Sequence, residues 1–255
     1  METGRIAELL APFTTPTDLS PGMLAQLQSY LDLLLRWNAR MNLTAVRDPE
    51  QIVVRHFGES WFAARVLLGS AEESNETSPQ GLKPGPAIVL NGAAEAAPLQ
   101  MRSGHQSVAD IGSGAGFPGI PMKLFAPEIE LTLIESQSKK ATFLSEVIRT
   151  LGLKGADVFC GRAEQWRKTA DLVTLRAVEK FERALPGAAE HVARQGRLCL
   201  LIGAGQVPIA RQILGAAWEW QTPHAVPQSK SRVVLVGRRL ESAILPSSGR
   251  TSDLV

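Results

Sequence analysis

Apolar residues recur at helical spacing over residues 20–38, where Leu24, Leu27, Leu31, Leu34 and Leu35 share one stripe. Ser20 suits the N-cap and Pro21 the first helical position, so the spacing predicts a helix beginning there. Asp48-Pro49-Glu50-Gln51 repeats the start signal, with Asp48 as cap and Gln51 at the capping-box position. The helix it opens turns Ile52, Phe57, Trp61 and Ala64 toward a core, and residues 1–68 read as an all-helical cap. From Ser107 the pattern changes. Short apolar runs at Val108–Ile111, Leu131–Glu135, Asp157–Cys160, Leu172–Leu175, Leu198–Ile202 and Val233–Val236 read as strands, with helical stretches between them. One such stretch puts Phe143, Leu144, Val147, Ile148 and Leu151 on one face and closes on Gly152, a C-cap residue. Pro186, in the helical run after Glu179, is expected to start or kink that helix. The alternation predicts an α/β domain over 107–240, a mostly parallel sheet covered by helices on both faces.

Two segments lack periodicity. Residues 69–106 are rich in Ser, Gly, Ala, Pro and Glu and are expected to be a flexible insertion or linker, with a strand-like run at 88–90 as the counter-signal. Residues 241–255 are expected to be a disordered tail.

Composition narrows the class. The 255 residues are 44% apolar and 20% charged, with room for one large domain plus a cap. No apolar run reaches the ~18–20 residues of a membrane span. METGRIAELLAPF has no apolar h-region, so a cytoplasmic location is expected. Cys160 and Cys199 lie in apolar runs without metal-ligand spacing, which predicts buried reduced thiols and no metal site. With a net charge of +2, any contact with RNA has to come from a local basic patch.

The candidate chemistry centres on VADIGSGAGFPGIP, residues 108–121. Read from Gly114, it contains the dinucleotide pattern Gly-x-Gly-x-x-Gly; read from Gly112, it is Gly-x-Gly-x-Gly preceded by Asp110. The strand ends at Ile111. A dinucleotide site needs it to end nearer Ser113, and places Pro118 in the turn of the phosphate-binding helix. Glu135 ends the next strand, where an acid can bind ribose hydroxyls. After the third strand, the backbone at Ala163 and the carboxylate of Glu164 can frame an adenine. The one tyrosine, Tyr30, lies in the cap without a following x-x-x-Lys, and no Gly-Lys-Ser/Thr follows the loop. Hydride transfer by a short-chain reductase and P-loop chemistry therefore fail, and S-adenosylmethionine fits best. The stretch Thr174-Leu175-Arg176-Ala177-Val178 lacks the Asn/Asp-Pro-Pro-aromatic turn common in amine methylation, and neither cysteine sits in a loop suited to a nucleophile. An acceptor that needs little help remains, and guanine N7 is one: it has a lone pair and no proton to remove.

DIGSGAGFPGIP, the cap segment WNARMNLTAVRDPE (37–50), Arg55-His56-Phe57-Gly58-Glu59-Ser60, Ile134-Glu135-Ser136 followed by Lys139-Lys140, Gly161-Arg162-Ala163-Glu164 and DLVTLRAV (171–178) together resemble one family. It is the bacterial small-subunit ribosomal RNA guanine-N7 methyltransferases, the RsmG or GidB family, matched over about residues 20–68 and 107–240. The resemblance implies a Rossmann-like, S-adenosylmethionine-dependent methyltransferase with an N-terminal helical cap. Its implied reaction is methylation of N7 of a guanine in the decoding-region loop of 16S rRNA. The expected partner is 16S rRNA or the small ribosomal subunit, with no membrane and a monomeric chain. Carried over residue by residue, cofactor contacts fall on Gly112, Phe117, Glu135, Ala163, Glu164 and Arg176, with Asp110 and Gly114 in the same loop motif. Arg176, Asn38 and His56 become catalytic candidates. Arg47 and Ser60 become substrate-side candidates, with Lys139 and Lys140, whose cations oppose the dipole of the helix they open. Arg36, Arg40, Arg47 and Arg55 are candidates for a basic RNA surface. The family pattern is not complete: Leu201-Ile202-Gly203 stands where a lysine is usual, and Glu59 where an aspartate is. Two other classes remain: a methyltransferase for a protein or small molecule with the cap as lid, and a non-catalytic cofactor-binding module.

Overall fold

Capping starts both cap helices where the sequence predicts. The Ser20 hydroxyl accepts from the Met23 N–H at 3.2 Å, and the Asp48 carboxylate from the Gln51 N–H at 2.8 Å. The computed structural model describes residues 1–15, 19–68, 106–176 and 180–241. Of the insertion expected at 69–106, residues 69–105, with the strand-like run at 88–90, lie outside the described residues, as does the tail from 242.

The cap comprises α1 (Thr3–Thr14), α2 (Pro21–Asn38), α3 (Pro49–Ile52), a π-helical segment (Val53–Gly58) and α4 (Glu59–Leu68). The π turn was not predicted; it interrupts one apolar run that a uniform 3.6-residue period fits. There follow β1 (Ser107–Ile111), α5 (Gly119–Phe125), β2 (Glu130–Glu135), α6 (Ser138–Leu151), β3 (Ala156–Cys160), β4 (Ala170–Arg176) and α7 (Phe181–Glu190). The chain continues through β5 (Val192–Gly203), α8 (Val207–Leu214), β6 (Trp218–Trp220), β7 (His224–Ala225) and β8 (Arg232–Arg239).

The sheet order is β3-β2-β1-β4-β5-β8-β6, with β7 paired to β8. Strands β1 to β5 pair in parallel, while β8 runs antiparallel to β5, β6 and β7. The expected Rossmann-like, mostly parallel α/β sheet is the one observed. The chain winds from β1 outward to β3, then returns to the other side of β1 as β4. The strand order therefore switches between β1 and β4, and a crevice forms at their carboxyl ends.

Strand residues alternate between two apolar layers, which is why the strands read as unbroken apolar runs. Val108, Leu131, Leu133, Leu172 and Leu201 join one cluster with Ile120 of α5 and Phe143, Leu144 and Val147 of α6. Ala109, Val173, Leu175, Leu198 and Leu200 join the opposite cluster, under α7 and α8. The cap completes the first cluster: Ile6, Leu10, Phe13, Leu27, Leu31, Leu34, Phe57 and Trp61 are buried in it. Each large apolar side chain so buried contributes about 1.5–3 kcal/mol, so cap and sheet share one core. Polar ties fix the contact, from Trp37 Nε1 to Glu146 at 3.0 Å and from Gln26 to the Leu151 carbonyl at 3.0 Å.

Two readings change. Pro186 does not start α7; it lies inside the helix, five residues past Phe181, and both Pro186 and Glu182, whose carbonyl loses its helical donor, are exposed to water. Cys160 is exposed, because β3 is the sheet edge; Cys199 is buried as expected, and both thiols are free. Strands β6 and β7 were not predicted, being three and two residues long.

Candidate active site

The glycine loop leaves β1 at Ile111 and is tied back to the next strand: the N–H groups of Gly112 and Ser113 donate to the Ile134 carbonyl at 2.9 and 3.1 Å. Gly112, Gly114 and Gly116 have φ of 68°, 58° and 91°, in the left-handed region that side chains disfavour. Glu135, 5% exposed, clamps the loop from the end of β2. One oxygen accepts from the Gly114 N–H at 3.0 Å and the other from the Gln137 N–H at 2.8 Å. An ionised carboxylate accepts about four hydrogen bonds, so each oxygen keeps a lone pair for ligand hydroxyls.

Asp110 is 1% exposed and works inside the fold. Its oxygens accept from the Thr174 hydroxyl at 2.7 Å and the Gly119 N–H at 3.2 Å, joining β1, β4 and the start of α5. A Cβ at Gly119 would stand 2.6 Å from Leu133 and 2.9 Å from the Asp110 carboxylate, so only glycine allows this approach. Burial raises the Asp110 pKa to about 6 against the lowering effect of these bonds.

Phe117 turns its ring toward the cap. Tyr30 stacks on it at 5.3 Å and 15°, Phe57 meets it edge-on at 5.0 Å, His56 lies at 5.1 Å, and the Arg176 guanidinium stands 5.9 Å above it. A ring packed in this way leaves its backbone to serve a ligand.

Arg176, at the end of β4, meets the π-helical segment of the cap. Its Nη2 shares two hydrogens among three acceptors: Glu59 Oε2 at 2.9 Å, His56 Nδ1 at 3.1 Å and the Arg55 carbonyl. Arg232 of β8 reaches the same Glu59 oxygen at 3.2 Å. The Glu59 and Arg176 side chains are 6% and 8% exposed. One buried carboxylate thus serves two guanidiniums, leaving the cluster net positive. Burial holds the Arg176 pKa down, and Glu59 pulls it back up. His56 Nε2 lies 2.7 Å from the Thr44 hydroxyl. Burial, then the charges of Arg176, Arg55 and Arg232, lower the His56 pKa to about 3, so the ring is neutral at pH 7.

The remaining candidates divide. Lys139 and Lys140 occupy the first turn of α6 beside Glu135, Lys139 exposed and Lys140 half-buried. Ala163 is half-buried and Glu164 exposed in the turn after β3, which the Gly161 N–H ties to the Glu135 carbonyl at 3.0 Å. These lie along the carboxyl edge with the glycine loop. Asn38 and Ser60 are hydrogen-bonded within the cap. The Asn38 side-chain oxygen accepts from the N–H groups of Leu43 and Thr44 at 2.9 and 3.1 Å, so it shapes the loop after α2. Ser60 is fully buried and donates to the His56 carbonyl one turn back at 2.6 Å. Arg47 is exposed but spends its guanidinium on the Asn38 carbonyl at 2.8 Å and Asn42 at 2.6 Å.

The model of the GidB family, described as rRNA small subunit methyltransferase G, matches residues 23–74 and 89–222. The chain belongs to this family. The ribosomal RNA small subunit methyltransferase G of Streptococcus agalactiae serotype V is 34% identical over 185 residues, covering 70% of this chain and 65% of that protein. The chain thus spans just under two thirds of the length of that relative. The protein of the same name from Lactococcus lactis subsp. cremoris strain SK11 is 29% identical over 230 residues, covering 86% of this chain and 83% of its own. Among solved structures, a ribosomal protein L11 methylase from Lactobacillus delbrueckii subsp. bulgaricus has a TM-score of 0.46 at 17% identity, covering 54% of this chain and 72% of that one.

Three residues that the structure brings to the glycine loop and Arg176 carry no site signal in the sequence. Tyr30 reads in the sequence only as a cap residue. Glu59 was visible only as a one-methylene departure from the family aspartate. Arg232 lies outside the matched residues and carries no local motif; pairing of β8 with β5 brings it to Glu59.

Proposed function

We propose that this chain is an S-adenosylmethionine-dependent methyltransferase that modifies N7 of a guanine in the decoding-region loop of 16S rRNA, as free RNA or in the small subunit. The observation that carries it is a convergence. The segments matched by the GidB model contain Gly112–Phe117, Glu135, Ala163–Glu164 and Arg176, and the fold gathers these along the carboxyl edge of β1 to β4.

The residues present fit the cofactor. The positive-φ glycines leave the backbone open to close approach, the spare lone pairs of Glu135 suit ribose hydroxyls, and the half-buried Ala163 and exposed Glu164 suit an adenine edge. When bound, S-adenosylmethionine supplies a methyl group on a sulfonium. The net positive cluster of Arg176, Arg232 and Glu59 lies at the end of β4 and attracts a polyanionic substrate.

The chain's titratable groups favour an acceptor that needs no deprotonation. Both ring nitrogens of His56 are engaged, and both oxygens of Asp110 are hydrogen-bonded inside the fold. Guanine N7 carries no proton, so its methylation can rest on proximity and orientation. No helix among the described residues is long and apolar enough to cross a membrane. We take the chain to act in the cytoplasm as a monomer.

The test offers methyl-labelled S-adenosylmethionine with 30S subunits and with naked 16S rRNA, then maps the label. One N7-methylguanosine is expected. Labelling of neither form rejects the reading, and labelling at another atom rejects the N7 assignment.

A further inference from the structure

We infer that Tyr30, on cap helix α2, is a positioning residue that holds the Ala115–Phe117 stretch of the glycine loop in its cofactor-binding shape. This rests on the reading of that loop as the cofactor site.

Three consecutive loop residues meet the same phenol. The Tyr30 hydroxyl donates to the Ala115 carbonyl. A Cβ at Gly116 would lie 2.5 Å from the hydroxyl oxygen and 2.5 Å from Ile120 Cδ1, so the phenol takes part of the space a side chain there would need. The Tyr30 ring stacks on Phe117 at 5.3 Å and 15°. Tyr30 is 0% exposed and Ala115 6%, so water does not readily replace the hydroxyl. Burial and the nearby Asp110 charge raise the phenol pKa well above 10, which keeps the hydroxyl protonated and able to donate.

The opposite side of the loop is fixed from the sheet, where Glu135 accepts from the Gly114 N–H at 3.0 Å. The loop is thus held between a carboxylate at the end of β2 and a phenol from the cap. Phe57 braces the phenol ring in turn, edge-on at 5.0 Å and 74°. The cap is one wall of the loop, so it cannot swing away as a lid without releasing Ala115. A phenylalanine at position 30 would keep the stacking and the packing. The hydroxyl is what adds control of the loop backbone.

The test uses Tyr30→Phe in the full chain, with S-adenosylhomocysteine affinity measured by calorimetry and KM measured separately for S-adenosylmethionine and for RNA. The dissociation constant and the KM for S-adenosylmethionine should rise about five- to tenfold, the scale of one lost buried hydrogen bond. The KM for RNA should stay unchanged, and Tm should fall by about 2–4 °C. An unchanged dissociation constant, with or without a lower Tm, overturns the inference, because a purely structural role would move Tm alone. Gly116→Ala supplies a second arm, made in the wild-type and Tyr30→Phe backgrounds. Its methyl meets Ile120 and a left-handed φ of 91° in both backgrounds and the hydroxyl only in the first, so its loss of cofactor affinity should be smaller, though not abolished, in the second; equal losses overturn the inference. A wild-type chain that fails to bind S-adenosylhomocysteine removes the cofactor reading and this inference with it. Wild-type binding with Tyr30→Phe unaffected removes this inference alone.

Discussion

Arg176 Nη2 donates to His56 Nδ1 across 3.1 Å, joining the end of a sheet strand to the π-helical turn of the cap. A guanidinium has only donors, so Nδ1 must accept. The ring proton therefore sits on Nε2 and is donated to Thr44 Oγ1 at 2.7 Å. This fixes the tautomer and makes His56 a buttress for Arg176.

That geometry has a pH consequence. The His56 pKa is lowered to about 3 from 6.5. The unfolded state then binds more protons than the folded one below pH 6.5, so the stability from a neutral His56 is full above 6.5 and lost as pH falls toward 3. The slope approaches about 1.4 kcal/mol per pH unit. His56→Asn keeps an acceptor and cannot titrate. Urea unfolding at a series of pH values should show wild type losing stability faster than the variant below pH 6.5; parallel profiles would refute the neutral, buried ring.

Asp110 gives the opposite sign. Its folded pKa, about 6, lies above the unfolded value, so the native state holds the proton more tightly. Its contribution is full below about pH 4 and lost as pH rises to 6. The loss is about 3 kcal/mol for a shift of two units. Relative to Asp110→Asn, wild type should weaken between pH 4 and 6 and stay level above. A stability difference that does not vary with pH in that window contradicts a buried, proton-sharing Asp110.

Glu59 is the sole acidic partner recorded for both Arg176 and Arg232 among the described residues. Glu59→Gln leaves the buried Arg176 guanidinium without its counter-charge and should cost about 3–5 kcal/mol. Replacing Glu59 and Arg176 together by methionine should cost less than Glu59→Gln alone. Chemical denaturation of the three proteins decides it, and a double variant at least as unstable as Glu59→Gln would show that the ion pair is not the reason.

Asn38 and Ser60 should separate in function from Glu135. Asn38→Ala strips the acceptor from two backbone N–H groups and should lower stability by about 2–3 kcal/mol. Ser60→Ala should leave methyl transfer within about twofold of wild type, since its hydroxyl only back-bonds its own helix. Glu135→Ala removes the loop clamp and both spare acceptors, and S-adenosylhomocysteine affinity should fall at least about tenfold. Urea unfolding reads the first outcome, a methyl-transfer assay the second and isothermal calorimetry the third; a Ser60→Ala chain as impaired in methyl transfer and binding as Glu135→Ala would place Ser60 in the site.

The sequence by itself determined everything whose cause is local. Ser20 and Asp48 cap the helices they precede because a side-chain oxygen reaches an N–H three residues on. The strands were legible because residues facing both apolar layers make unbroken runs. The glycine loop and Glu135 were legible because a strand end followed by positive-φ glycines has a readable composition. Tertiary structure alone decided the rest. Cys160 is exposed because β3 is an edge, and edge position depends on strand order. Phe117 packs on Tyr30 because the cap completes the core on that face, which no spacing within the loop encodes. Arg176, Glu59 and Arg232 lie far apart along the chain and meet because β4 and β8 both flank β5 beside the π turn. Charges brought together from three distant segments leave no periodicity in any one of them; only the packed fold sets their distances.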